Sequence, residues 1–295
     1  MCGIVGLYLK DPSLHGRLGA LFAPMLVELT DRGPDSAGLA VYHDPAPEAH
    51  LKLVLFHPDP DFDWQKVTEA LGPGAVLTRR ASHAVVVAEG EARKIEALIA
   101  ALDPGLQIMS EGRVIEIYKE TGLPDAVARR FAVPAMAGSH AIGHTRMATE
   151  SAVTTAGSHP FSTGLDLCLV HNGSLSNHNW LRSRLERHYG MTFKTENDTE
   201  VAAAYVTSRL LEGRTLHEAL EDGLADLDGF YTFCVGTAEG FAVLRDPIAC
   251  KPAVLAETDG WVAMASEYRA LVGLPEIEKA RVWEPEPATV YSWGG

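Results

Sequence analysis

Apolar positions along the chain repeat with two different periods, and the switches between them divide it into elements. The run from Cys2 to Leu9 is almost continuously apolar and reads as a buried strand. Residues 18–30, LGALFAPMLVELT, carry apolar positions at helical spacing and stop at Asp31-Arg32-Gly33. SAGLAVY and LKLVLF are rich in strand formers and flank a Pro-containing loop, which predicts a β-hairpin. From about Trp64 to Phe131 the texture changes: HAVVVAEG, the amphipathic EARKIEALIAAL, RVIEIYKE and PDAVARRF predict a small α/β insertion. SHAIGHT and LDLCLVHNG then read as strands that deliver polar ends between His140 and Gly173. NHNWLRSRLERHYG, DTEVAAAYVTSRLLEG and TLHEALEDGLADL have helical periodicity, whereas GFYTFCVGT, GFAVLRD, PAVLAE, WVAMASE and the tail VYSW read as strands. Strands at both ends with helices between them predict sheets and helices packed as layers of one domain.

At 295 residues, with 46% hydrophobic and 22% charged positions, the chain has ordinary globular composition and enough length for a sizeable core. Its 25 basic and 39 acidic side chains leave a net charge of −14, which repels phosphate backbones and anionic lipid. Nucleic acid and membrane are therefore not expected partners. No apolar run approaches the ~20 residues of a membrane span, and no basic segment precedes the first apolar stretch, so a cytoplasmic location is expected. The four cysteines show no CxxC pair or secretory context and are expected to be thiols.

The chain contains no HExxH, GxxxxGK[ST], GxSxG, GxGxxG after a strand, or EF-hand loop. His140 and His144 share one face of a predicted strand, but at ~3.3 Å per residue they stand about 13 Å apart, too far for one ion. No metal is expected. Cys2 changes the reading, because removal of Met1 would place a thiol and a free α-amine on one residue. With a thiol titrating near ~8.5 and an α-amine near ~7.7–8.0, the amine can be neutral at physiological pH and take the thiol proton.

Five motifs, the first beginning with Cys2 itself, follow in order: Cys2-Gly3-Ile4-Val5-Gly6, Arg32-Gly33-Pro34-Asp35-Ser36-Ala37-Gly38, Gly143-His144-Thr145-Arg146-Met147-Ala148-Thr149, His171-Asn172-Gly173 and Asn197-Asp198-Thr199-Glu200. Together they resemble the glutaminase domain of class II glutamine amidotransferases. The resemblance implies an α+β fold, a four-layer αββα sandwich of the N-terminal-nucleophile hydrolase type. One domain would cover 2–295, with an inserted small α/β subdomain at about 60–135. It also implies roles: Cys2 as nucleophile on the L-glutamine side-chain amide, and Asn172 and Gly173 as oxyanion donors. Arg146 and Thr149 would hold the substrate carboxylate and Asp198 its ammonium, with Gly3, Arg32, Asp35 and His171 in support.

The residues agree with those roles on chemical grounds. A zwitterion needs a guanidinium fork and a carboxylate, and an oxyanion needs preorganised donors. Asn197-Asp198-Thr199-Glu200 is also what a helix start looks like, and one segment can serve both ends. Met147 stands where many relatives have an aromatic, and Glu150 is expected to point away from the substrate. Tyr231 and Phe230 are expected in core strands.

The long insertion and Ser158-His159-Pro160-Phe161 look most like the stand-alone glutaminase subunit of split glutamate synthase and N-methylglutamate synthase-like systems. That likeness implies an ammonia acceptor on separate synthase subunits, which would carry the FMN and iron–sulfur clusters, with no cofactor in this chain. Two further readings stand beside it: an amidophosphoribosyltransferase-related enzyme, against which the lack of a phosphoribosyl-pyrophosphate loop weighs, and a silent glutamine-binding regulatory subunit.

Overall fold

The computed structural model describes residues 2–148 and 152–294. Its strands are β1 Gly3–Leu9, β2 Ser36–Tyr42, β3 His50–Phe56, β4 Val76–Arg80, β5 His83–Glu89, β6 Gln107–Gly112, β7 Ile115–Thr121, β8 His140–Arg146, β9 Cys168–Leu175, β10 Gly229–Gly236, β11 Gly240–Arg245, β12 Val254–Glu257, β13 Trp261–Ala265, β14 Arg281–Trp283 and β15 Val290–Gly294. Its helices are α1 Leu18–Glu28, α2 Gln65–Leu71, α3 Ala92–Leu102, α4 Pro124–Arg130, α5 His178–Tyr189, α6 Asp198–Leu211 and α7 Leu216–Asp226.

A seven-stranded sheet of order β14-β12-β13-β1-β8-β2-β7 faces a four-stranded sheet of order β15-β11-β10-β9. Helices α1 and α4 cover the outer face of the first and α5–α7 that of the second, which is the αββα sandwich. Strand alternation builds the layers. On β9 and β10, Cys168, Val170 and Cys234 point into the core between the sheets, and Leu169, Phe233 and Val235 into the core under the helices. β1, β2 and β8 are central strands buried on both faces, so β1 and β2 read as nearly continuous apolar runs without alternation, while β8 also buries His140, His144, Thr145 and Arg146.

Two expectations are corrected here. The proposed hairpin between SAGLAVY and LKLVLF does not form: β2 pairs with β7 and β8, so both its edges are occupied by distant segments. β3 instead joins a third sheet of order β4-β5-β3-β6, whose β-α-β-β-α-β connectivity is the split βαβ arrangement. That sheet has its own core of Leu53, Leu55, Val67, Val86, Ile95 and Ile99. It spans His50–Gly112 rather than about 60–135, because β7 and α4 return to the sandwich.

Histidines are packed unusually deeply. Burial pushes the imidazolium pKa down to about 3 in His83, His140 and His144, and well below its usual range in His159. An unfolded chain takes up these protons near pH ~6.5 while the folded one does not, so stability rises with pH between about 3 and 6.5. Each such group costs up to ~1.4 kcal/mol per pH unit on acidification. Calorimetry at pH 5 in buffers of different ionisation enthalpy is expected to show roughly three protons or more taken up on unfolding; uptake near zero would mean that the buried rings are already charged.

Candidate active site

One end of the sandwich holds a cavity of about 370 Å³. Three strand ends and one helix start converge on it. Cys2 precedes β1, Arg146 ends β8, Asn172 and Gly173 lie near the end of β9, and Asp198 opens α6. The antiparallel register that sets Gly3 opposite Thr145 brings Cys2 beside the end of β8. The Met147 N–H donates to Cys2 Sγ at 3.4 Å, and the thiol in turn lies 3.8 Å from Met147 O.

The main chain of Cys2 is held from two sides. Arg32 Nε donates to Cys2 O at 2.9 Å and Asn172 Nδ2 to the same oxygen at 3.1 Å. Arg32 is itself oriented by Glu267 at 2.7 Å, and that guanidinium holds the Glu267 carboxyl below its ordinary range. Asn172 also donates to Ser266 Oγ at 3.2 Å, and Ser266 Oγ accepts from Ile4 N at 2.9 Å. Gly3 sits behind Cys2 with no room for a side chain, since a Cβ would lie 2.7 Å from Thr145 Oγ1. Gly173 has φ 139° and a Cβ there would meet Phe230 O at 1.9 Å, so this position accepts glycine alone.

The opposite wall follows from strand alternation: where Asn172 faces between the sheets, His171 faces α6. His171 Nδ1 lies 3.1 Å from Thr199 Oγ1 and 3.7 Å from Asp198 Oδ1, and His159 Nε2 is 2.7 Å from the same hydroxyl. Burial raises the Asp198 pKa, yet His171 and the Leu175 N–H, 2.9 Å from Oδ2, outweigh it and hold the carboxyl below its ordinary value. Asp198 is therefore an anion facing the cavity at neutral pH. It is also the first residue of α6, whose cap is the neighbouring Asn197, accepting from Thr199 N at 2.9 Å.

Seven residues singled out from sequence line this one cavity: Cys2, Arg32, Arg146, His171, Asn172, Gly173 and Asp198. Asp35 stands just behind it, with Oδ2 accepting from Ala148 N at 2.8 Å. Thr149 and Glu150 lie outside the described residues. Phe230 is corrected: it is 40% exposed and forms part of the rim, although Tyr231 is buried as expected. Ser266, Glu267, His159 and Lys251 were not legible as site residues. Ser266-Glu267 ends the apolar run WVAMASE, and a polar pair closing a strand that borders β1 was the available signal. Among the described residues no group of three or more His, Cys, Asp or Glu is placed to hold a metal, and no helix is long and apolar enough to cross a membrane. All four cysteines are free thiols.

The fold and this arrangement define a class II glutamine amidotransferase domain, and the chain belongs to that family. A glutamine amidotransferase domain model matches residues 144–273. The chain is 58% identical over 297 residues to the glutamine amidotransferase-like protein GlxB of Rhizobium meliloti (strain 1021), covering 99% of this chain and 98% of that protein. It is 33% identical to a putative glutamine amidotransferase of Methanothermobacter thermautotrophicus, with 99% of each covered. The fold is also that of the glutamine phosphoribosylpyrophosphate amidotransferase from B. subtilis complexed with ADP and GMP, at TM-score 0.61 and 20% identity, over 99% of this chain and 49% of that one.

Proposed function

We propose that this chain is a glutaminase subunit that hydrolyses L-glutamine through a Cys2 thioester and passes the ammonia to a separate synthase subunit of the glutamate synthase or N-methylglutamate synthase kind. The observation that carries it is the convergence of Cys2, Arg146, Asn172, Gly173 and Asp198 on one cavity of a size suited to a small ligand. After removal of Met1, the α-amine of Cys2 takes the thiol proton and the thiolate attacks the side-chain amide carbon. The resulting oxyanion is met by Asn172 Nδ2 and the Gly173 N–H. Collapse breaks the C–N bond, the α-ammonium returns its proton to the departing nitrogen, and ammonia leaves. Water then cleaves the thioester to release glutamate and restore the thiol. Arg146 and Asp198 bind the α-carboxylate and α-ammonium, and Thr149 is assigned to the carboxylate from the motif alone.

The separate acceptor is supported by the two relatives that this chain matches along 98% and 99% of their own length, whereas it spans 34% of the amidophosphoribosyltransferase of Synechocystis at 32% identity. FMN and iron–sulfur chemistry is assigned to the acceptor and not to this chain.

The test is intact-mass analysis before and after incubation with an electrophilic glutamine analogue. Loss of Met1 and a single adduct on Cys2, blocked by excess glutamine, is the expected result. Retained Met1, or labelling that glutamine does not block, would leave a glutamine-binding subunit without this chemistry. Asp198→Asn is expected to raise KM for glutamine by roughly ten- to a hundredfold with a smaller change in kcat, since it removes a charge partner of the ground state as well as of the transition state. Steady-state ammonia release checks this.

A further inference from the structure

A second and larger cavity, of about 810 Å³, opens where the small sheet meets the sandwich. Its lining includes two guanidinium groups, Arg79 and Arg130, with Ser82, Glu120, Thr121 and Thr155. Arg79 is fixed at the rim by donating Nη2 to Pro60 O at 2.7 Å and Nε to Ala81 O at 3.3 Å. Arg130 reaches Glu120 at 3.7 Å. The Glu120 carboxylate is served by neutral donors: Ser82 Oγ at 2.9 Å, Thr121 N at 3.1 Å and the Thr155 hydroxyl. Two guanidinium groups against one carboxylate thus leave this lining with an excess of basic side chains in a chain whose net charge is −14. A cationic concavity in an otherwise repelling surface concentrates small anions, and a guanidinium fork matches the oxygens of a carboxylate or phosphate.

The cavity also shares a wall with the active site. Ser36 of β2 pairs with Thr121 of β7 on one side and with Arg146 of β8 on the other, so the two sites lie two strands apart, ~10 Å at the usual strand spacing. Thr155, bonded to Glu120, belongs to segment 152–160. That segment begins with Ala152 O accepting from Arg146 Nη1 at 3.3 Å and, near its end, carries His159, which lines the active-site cavity. Its middle is pinned by Lys119, whose ammonium donates to Ala156 O, Ser158 O and Pro160 O at 3.1, 2.7 and 3.2 Å. One short stretch of backbone therefore joins both cavities.

We propose that this junction cavity binds a small anion bearing a carboxylate or phosphate group, held by Arg130 and Arg79, and that occupancy acts through Thr155 and segment 152–160 on glutamine binding. The regulatory half rests on the glutaminase reading above; the binding half does not.

Isothermal titration of the full chain with inorganic phosphate and, separately, with succinate tests the binding half without any activity. Saturable binding of at least one probe is expected, weakened tenfold or more by Arg130→Gln and by Arg79→Gln and unchanged by Arg146→Ala. Both arginines are exposed, and Arg130, which among the described residues makes no backbone hydrogen bonds like those of Arg79 to Pro60 O and Ala81 O, keeps the test open if the Arg79 variant fails to fold. Preference for phosphate would point to a phosphorylated ligand and preference for succinate to a carboxylate. Absence of saturable binding by both, or binding lost in Arg146→Ala and kept in Arg130→Gln, overturns the site. With the bound probe at saturation, KM for glutamine is expected to shift at least twofold in the native chain and not in Arg130→Gln. Binding with KM and kcat unchanged overturns the regulatory half alone.

Discussion

Replacing Cys2 by Ala is expected to lower ammonia release from glutamine by on the order of 10³-fold or more, because among the described residues Cys2 carries the only thiol that lines the cavity. The thiol is only half-buried, and its neighbours hold the residue through the main chain: Arg32 and Asn172 both bind Cys2 O, which alanine keeps. Thermal stability is therefore expected to change little, within about ±0.5 kcal/mol. Glutamine binding by titration calorimetry should persist, since Arg146 and Asp198 are untouched. Cys2→Ala with undiminished turnover would remove the thiol from the mechanism; loss of binding together with activity would show that the substitution had damaged the cavity instead.

Asn172→Ala carries the second large effect, a fall in kcat of ~10²–10³-fold, the usual cost of losing one oxyanion donor. In the structure the Nδ2 of this amide donates both to Cys2 O and to Ser266 Oγ. Asn172 thus holds the main chain of Cys2, and in the proposed reaction it also reaches the oxyanion, by sharing a hydrogen or turning slightly. Ser266→Ala separates these tasks. It removes one acceptor of the amide and the acceptor of Ile4 N, at a cost of ~1–3 kcal/mol in stability for the unsatisfied buried group, but leaves the amide free to serve the oxyanion. A kcat loss at Asn172→Ala far larger than at Ser266→Ala is expected. Equal losses in the two variants would make Asn172 a purely structural residue.

Much of this molecule is legible along the chain because its information is local. Helical spacing marks α1, α3 and α5–α7, and short apolar or strand-forming runs mark β1 and β8–β13, where they occur. Cys2, Arg146, Asn172, Gly173 and Asp198 stand in motifs whose residue types already suit attack on an amide, an oxyanion and a zwitterion. Even the double nature of the Asn197-Asp198 step is written locally, with Asn197 as the cap and Asp198 turned to the cavity.

What could not be read was pairing at a distance. Two strand-like runs separated by a Pro-rich loop imply a hairpin by local rules, yet β2 found both partners about 80 and 105 residues onward, because a central strand buried on both faces must satisfy two edges at once. The same reason hid Ser266 and Glu267: their importance comes from β13 lying beside β1, which sets a hydroxyl and a carboxylate against Asn172 and Arg32 from 94 and 235 residues away. Phe230 likewise changed from core to rim because alternation assigns a residue to one face or the other, while the depth of the strand end decides whether that face is covered. Residue chemistry and local periodicity were thus settled by the order of amino acids alone. Strand neighbours, the company each side chain keeps and the sharing of one wall by two cavities arose from long-range packing, where each contact depends on where every other element has come to rest.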